Sequence, residues 1–284
     1  FPVWSNDLFQ LSWHEEDLLR VLTARARRLR EGLLRAPELL PSSPLAAFLG
    51  REFIDPQSGA ACMRVPSAET MRRKTVVPIE DYLLRHTLRR PRDLIVLGNA
   101  IIEQRRVTSS SSDPVEVVRR AVDEAAARTI GRGYLAEVAK QWPWQDLPNG
   151  SIETFVLQLP KNILARKEAV AISAKFAKGL GVAIKGIDPF IHLAKLGLVG
   201  WPTQDHHRGR GEIQYFVRPG ESIGELPVTA HHFLIHPALY GPPFHIRVVR
   251  GTLVTPGGMF QRSRIGSYAS VFVSDVNAKT IPTG

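Results

Sequence analysis

The chain has 284 residues, room for one large domain or two to three small ones. Its apolar fraction of 44% argues against a disordered polypeptide, and no apolar run reaches the length of a membrane-spanning helix. The net charge of +10 is spread along the chain rather than gathered into a tail, which gives weak attraction to polyanions without making a DNA-binding face.

A capping-box spacing at Ser12 and Glu15 predicts a helix. Leu18, Leu19, Leu22, Ala26, Leu29 and Leu33 form its apolar face, and Arg20, Arg27, Arg28 and Arg30 its wet side. Residues 37–44 read as a loop and 50–66 as irregular. No signal-peptide pattern opens the chain, and the single cysteine, Cys62, rules out an internal disulfide, as expected of a cytoplasmic protein. Cys62 has no histidine or base beside it in sequence, so no nucleophile is assigned.

A short helix over 78–88 leads into the most informative stretch, TLRRPRDLIVLGNA, from Thr87 to Ala100. Pro91 fits the first turn of a helix, and Leu94, Ile95, Gly98, Ile101 and Ile102 give that helix one buried face. Arg92 falls in its first turn, at the positive end of the dipole. A phosphate held there by backbone N–H groups and a guanidinium accounts for that placement; so does a solvated Arg92 offset by Asp93.

Four serines, Ser109–Ser112, predict a joint between domains. Asp113 and Pro114 then start a helix with Val115, Val118, Val122, Ala125 and Ala126 on one face, extended by Leu135 and Val138. Trp142 and Trp144 read as core anchors. Helices are predicted over 151–159 and 162–178. A further one starts at Asp188 and Pro189, with Phe190, Leu193, Ala194 and Leu196 inward and Gly197 as its left-handed cap. Leu198–Trp201 and Glu212–Val217 read as a hairpin around a polar turn, and His232–His236 as a third strand. Residues 246–254 suggest one more.

Helices followed by a hairpin make a winged helix. Its last helix presents only His192 and Lys195 outward, and its wing His206, His207, Arg208 and Arg210. Lys195, Arg208 and Arg210 are therefore the candidate nucleic-acid contacts, enough for a few phosphates but little base readout. His232 and His236 share a strand face, but no cysteine or carboxylate completes a ligand set, so no metal site is assigned. The pairs Glu15-Glu16 and Asp123-Glu124 read as exposed and solubilising.

RPRDLI followed by Asn99 resembles the end of the ATPase module in bacterial P-loop ATPases of, or near, the STAND (signal-transduction ATPase) branch of the AAA-type proteins. QLSWHEEDLLRVL at 10–22, IDPFIHLAKLGLVG at 187–200 and FLIHPAL at 233–239 resemble that family in the same order, over roughly residues 7–240. The resemblance implies a helical lid in which Arg92, or second Arg90, senses a nucleotide phosphate. It also implies a winged helix that turns nucleotide state into domain movement. The phosphate-cradling G-x-x-x-x-G-K-[ST] loop and a magnesium-binding strand are missing from the sequence. The chain also opens on Phe1 rather than Met. It is therefore expected to be the C-terminal regulatory part of a longer protein, with no catalytic residue of its own. ATP and Mg2+ would be bound mainly by an upstream ATPase core in the same polypeptide. The fold expected is mainly α with a small β component: a helical lid over 1–108, a winged helix over 113–218 and a β-containing extension over 219–284. The alternative is a winged-helix DNA-binding module, and a third reading is an oligomerisation arm forming a homo-oligomer. No membrane partner is expected.

Overall fold

The computed structural model describes residues 15–29, 31–57, 59–64, 76–108, 112–204, 212–217, 230–249 and 253–256. Helix α1 (Glu15–Arg27) turns Leu18 and Ala26 into the core and leaves Arg20 and Arg27 in solvent, as its leucine spacing predicts, but it ends before Leu29 and Leu33, and Leu33 closes a separate 3-10 turn, Glu31–Leu33. Ser12, the expected cap, lies outside the described residues.

The stretch expected to be a loop holds a 3-10 turn, Pro37–Leu39, and leads into a short helix, α2 (Pro44–Leu49). Every residue of α2 after Pro44 is buried, so it lacks the polar face on which a periodicity reading depends. Strands β1 (Cys62–Arg64) and β2 (Val76–Pro78) pair antiparallel, with Met63 opposite Val77. β1 interrupts the stretch expected to be irregular. Three residues are too few for alternation to show. Helix α3 (Ile79–Leu84) follows, and a turn over 85–90 leads into α4 (Pro91–Val107).

Helix α5 (Pro114–Ala125) begins as expected: the Asp113 side chain accepts the Val115 N–H at 3.0 Å, and Pro114 is the first helical residue. It continues through a π-helical segment, Ala126–Gly131, into α6 (Arg132–Val138). The widened turn receives the 3-10 turn Pro237–Leu239 so closely that a Cβ on Gly131 would overlap the Ala238 carbonyl. Most of the expected serine joint lies outside the described residues, and α4 and α5 on either side of it pack against each other.

Helix α7 (Ile152–Val156) is capped by Ser151 Oγ, which accepts the Thr154 N–H. The helix expected over 162–178 is instead a strand, β3 (Ile163–Ala165), followed by α8 (Arg166–Leu180). Ile163 and Leu164 are buried on opposite faces of a sheet, and such an unbroken apolar run reads alike for a strand and a buried helix. In α8 it is Ala169, Ser173 and Phe176 that face inward, while Val170 is 41% exposed. Helix α9 (Asp188–Lys195) buries Phe190, Leu193 and Ala194, and Gly197 beyond it adopts φ +72°.

Strands β4 (Val199–Gln204) and β5 (Glu212–Tyr215) form the hairpin, and β6 (His232–Ile235) inserts between β3 and β4. The sheet order is β3-β6-β4-β5, all antiparallel. Among the described residues of 246–254, expected as a strand, Arg247 makes a single bridge to Lys161. Phe233 and Ile235 join a continuous apolar core that runs from Leu18 to Leu253. Leu234 points the other way, onto Ile163, Phe216 and Val254. The chain is mainly helical with small antiparallel sheets. Among the described residues, no helix is long and apolar enough to cross a membrane.

Candidate functional site

The turn between α3 and α4 is a crossroads. Arg85, His86, Thr87 and Leu88 are all buried, an unusual setting for a sequence this polar. His86 Nδ1 meets the Tyr82 carbonyl at 2.8 Å, and its Nε2 lies 3.3 Å from Asp123 Oδ1. The Tyr82 hydroxyl donates to the same oxygen at 3.1 Å, and Arg119 Nη1 donates to Asp123 Oδ2 at 2.8 Å. Burial would raise the Asp123 carboxyl. The bond from His86 and the charges of His86, Arg119 and Arg85 outweigh it and hold the group below its ordinary range. Asp123 is thus half-buried and ties α3 to α5, where the sequence suggested a solvated pair with Glu124. Arg119 stands one turn earlier on the same helix, whereas His86 and Tyr82 reach Asp123 only through the fold.

Arg89 adopts φ +60°, held by its N–H on Thr87 Oγ1 at 3.2 Å. The turn then ends on Arg90, the N-cap residue of α4, and Pro91 takes the first helical position. Asp93, in the first turn and 1% exposed, reaches back to accept the Leu88 N–H at 2.9 Å. That carboxylate satisfies the buried Leu88 N–H of the turn and lies at the favourable end of the helix dipole.

Arg90 and Arg92 converge. Arg90 Nη1 donates to Glu137 Oε2 at 2.6 Å, and Arg92 Nη2 donates to Glu137 Oε1. Arg90 also contacts both oxygens of Asp93, at 3.2 and 3.3 Å, and its guanidinium lies 5.2 Å from the centre of the Tyr134 ring. The bond to Glu137 raises the Arg92 pKa. Slight burial works to raise the Glu137 carboxyl, but the two guanidiniums prevail and lower it. The Arg92 side chain is 59% exposed and that of Arg90 22%. The sequence singled out both arginines; Glu137, one turn after Tyr134 on a different helix, gave no sign of joining them.

Tyr134 links this site to the C-terminal sheet, since its hydroxyl donates to the Leu196 carbonyl just after α9, at 2.9 Å. A small cavity lies beside the turn, bounded by Thr87, Arg89, Leu196, Gly197 and His236. The His236 ring is enclosed, and burial, with the charges of His86 and Arg89, pushes its pKa down to about 3.

The other candidates are scattered. Lys195 is exposed on α9, whereas His192 is half-buried, with its ring 5.5 Å from Trp144 and 6.3 Å from Trp142. Arg208 and Arg210, with His206 and His207, lie outside the described residues. His232 and His236 belong to no metal-binding group: among the described residues, no three His, Cys, Asp or Glu side chains gather to hold an ion. Burial, with Asp55, Glu80 and Asp81 nearby, raises the Cys62 thiol, which works against a reactive thiolate. Compared with protein-family models, curated proteins and solved structures, the chain has no match.

Proposed function

We propose that this chain is the regulatory C-terminal region of a P-loop ATPase of the STAND or AAA type, in which Arg92 and Arg90 sense a nucleotide phosphate. One observation carries the reading. Two guanidiniums at the start of a 17-residue helix close on a single carboxylate, the arrangement that also receives a phosphate group. In this reading residues 1–108 are the lid of the ATPase and residues 113–218 a winged helix. The order β3, α8, α9, β4 and β5, with β6 joining β3 to the hairpin, supports the second assignment. The bonds of Arg90 and Arg92 to Glu137, with Arg90 lying against the Tyr134 ring, supply the contacts through which the arginine turn and the winged helix move together. ATP and Mg2+ belong to the upstream core, and the chain by itself does not hydrolyse ATP, because it has neither the phosphate loop nor the magnesium carboxylate.

The DNA-binding alternative draws less support: of the two outward residues expected on α9, Lys195 is exposed and His192 is packed among aromatic rings. In the polypeptide encoded by the whole reading frame, Arg92→Ala weakens ATP affinity or turnover, while Arg27→Ala, on the wet side of α1, leaves both unchanged. The loss of a charge-assisted phosphate contact corresponds to about 1.5–3 kcal/mol. Equal ATP titrations and equal turnover for the two variants would place Arg92 among ordinary surface residues.

A further inference from the structure

We propose that Glu137 is an internal plug: it occupies the anion seat between Arg90 and Arg92, and a phosphate-bearing ligand enters only by displacing it. The inference rests on reading that arginine pair as a phosphate seat.

Two carboxylates face the arginines, and they are held differently. Asp93 is buried and bonded to the Leu88 N–H, so it is part of the scaffold of the turn. The Glu137 side chain is 43% exposed, and its hydrogen bonds go to the two arginines. It stands on α6, more than forty residues away in sequence, and can swing into solvent without breaking any other bond described for it. Of the two, Glu137 is the carboxylate that can leave.

Charge favours the exchange. Arg90, Arg92, Asp93 and Glu137 together are neutral, and a neutral seat exerts little pull on an incoming anion. With Glu137 swung away, the remaining three carry one net positive charge, and Arg90 stays oriented by Asp93 and the Tyr134 ring. A polyphosphate brings more negative charge than the carboxylate it replaces and offers several oxygens to two guanidinium forks. The plug thus sets a threshold: low concentrations of phosphate ligand lose to a carboxylate that is always present at high effective concentration.

The test uses the 284-residue chain and inorganic tripolyphosphate, titrated by calorimetry at low salt. Glu137→Gln and Glu137→Ala each bind tripolyphosphate about tenfold more tightly than the unaltered chain, the equivalent of removing two exposed ion pairs. Arg92→Ala abolishes the gain when combined with either. Thermal unfolding close to that of the unaltered chain checks that each variant is folded. If the Glu137 variants bind no more tightly while Arg92→Ala still weakens binding, the plug is wrong and the phosphate seat stands. If binding is indifferent to Arg92→Ala, the seat itself is wrong, and the plug falls with it.

Discussion

The Nδ1 atom of His236 accepts the Ala238 N–H at 3.1 Å, which only an unprotonated nitrogen can do, and the ring is closed off from water. Burial above all, with the charges of His86 and Arg89 beside it, lowers its pKa from the ordinary 6.5 to about 3. The sign of the stability effect follows. Above pH 6.5 neither the folded nor the unfolded chain protonates this ring, and its contribution is complete. Between pH 6.5 and 3 the unfolded chain takes up a proton that the folded chain refuses, so stability falls with pH by up to about 1.4 kcal/mol per unit. His236→Asn keeps an acceptor for the Ala238 N–H, as capping asparagines do, and removes the titration. Urea unfolding of this variant is expected to be less stable than the unaltered chain at pH 7 but flatter between pH 7 and 5. Parallel pH profiles would assign the acid sensitivity to other groups.

At the scale of elements, α2 depends on α4 for its C-terminal end. Arg105, in the last turn of α4, donates Nη1 to the Phe48 carbonyl at 2.7 Å and Nη2 to the Leu49 carbonyl, with its guanidinium 5.2 Å from the Phe48 ring centre. Burial, with Arg35 nearby, lowers its pKa to about 10, which leaves it charged at neutral pH. Arg105→Ala strands two helix-end carbonyls and is expected to cost about 2–3 kcal/mol in urea unfolding. Arg105→Lys recovers little, because an ammonium cannot span both oxygens as a fork does. The same pairing explains what the sequence hid. Helices with one polar face or a capping residue were legible: α1 from its leucine spacing, α5 from Asp113 and Pro114, and α9 with Gly197 beyond it. α2 and β3 were not, because their burial comes from partners far along the chain. The candidate site divides in the same way. Arg90, Pro91 and Arg92 declare themselves by position in one helix, while Glu137, Tyr134, His86 and Asp123 meet them or their turn only through packing.

Across the whole molecule, one apolar core links α1 to the last described residues, and the arginine turn lies where its helical and sheet-bearing parts meet. The long helix from Pro114 to Val138 passes through that meeting point, and its π segment fixes the angular phase of everything after it. Each residue of an ordinary α-helix turns by about 100°, and a π turn takes up roughly one residue more than an α turn. Drawing Ala126–Gly131 into plain α geometry at constant length would rotate α6 by about that angle, carrying Glu137 away from both arginines and Tyr134 away from Leu196. Removing one residue from the segment has the opposite result: α geometry is restored and the phase of α6 is kept. Deletion of exposed Thr129 is therefore expected to leave a folded chain, whereas deletion of exposed Ala136, inside α6 and beyond the π segment, turns the residues after it out of register and lowers the melting temperature far more. Equal melting temperatures for the two deletions would deny the π segment this role. The extra residue acts as a spacer that aims a carboxylate, and the helix must stay slightly out of tune for the site to be assembled at all.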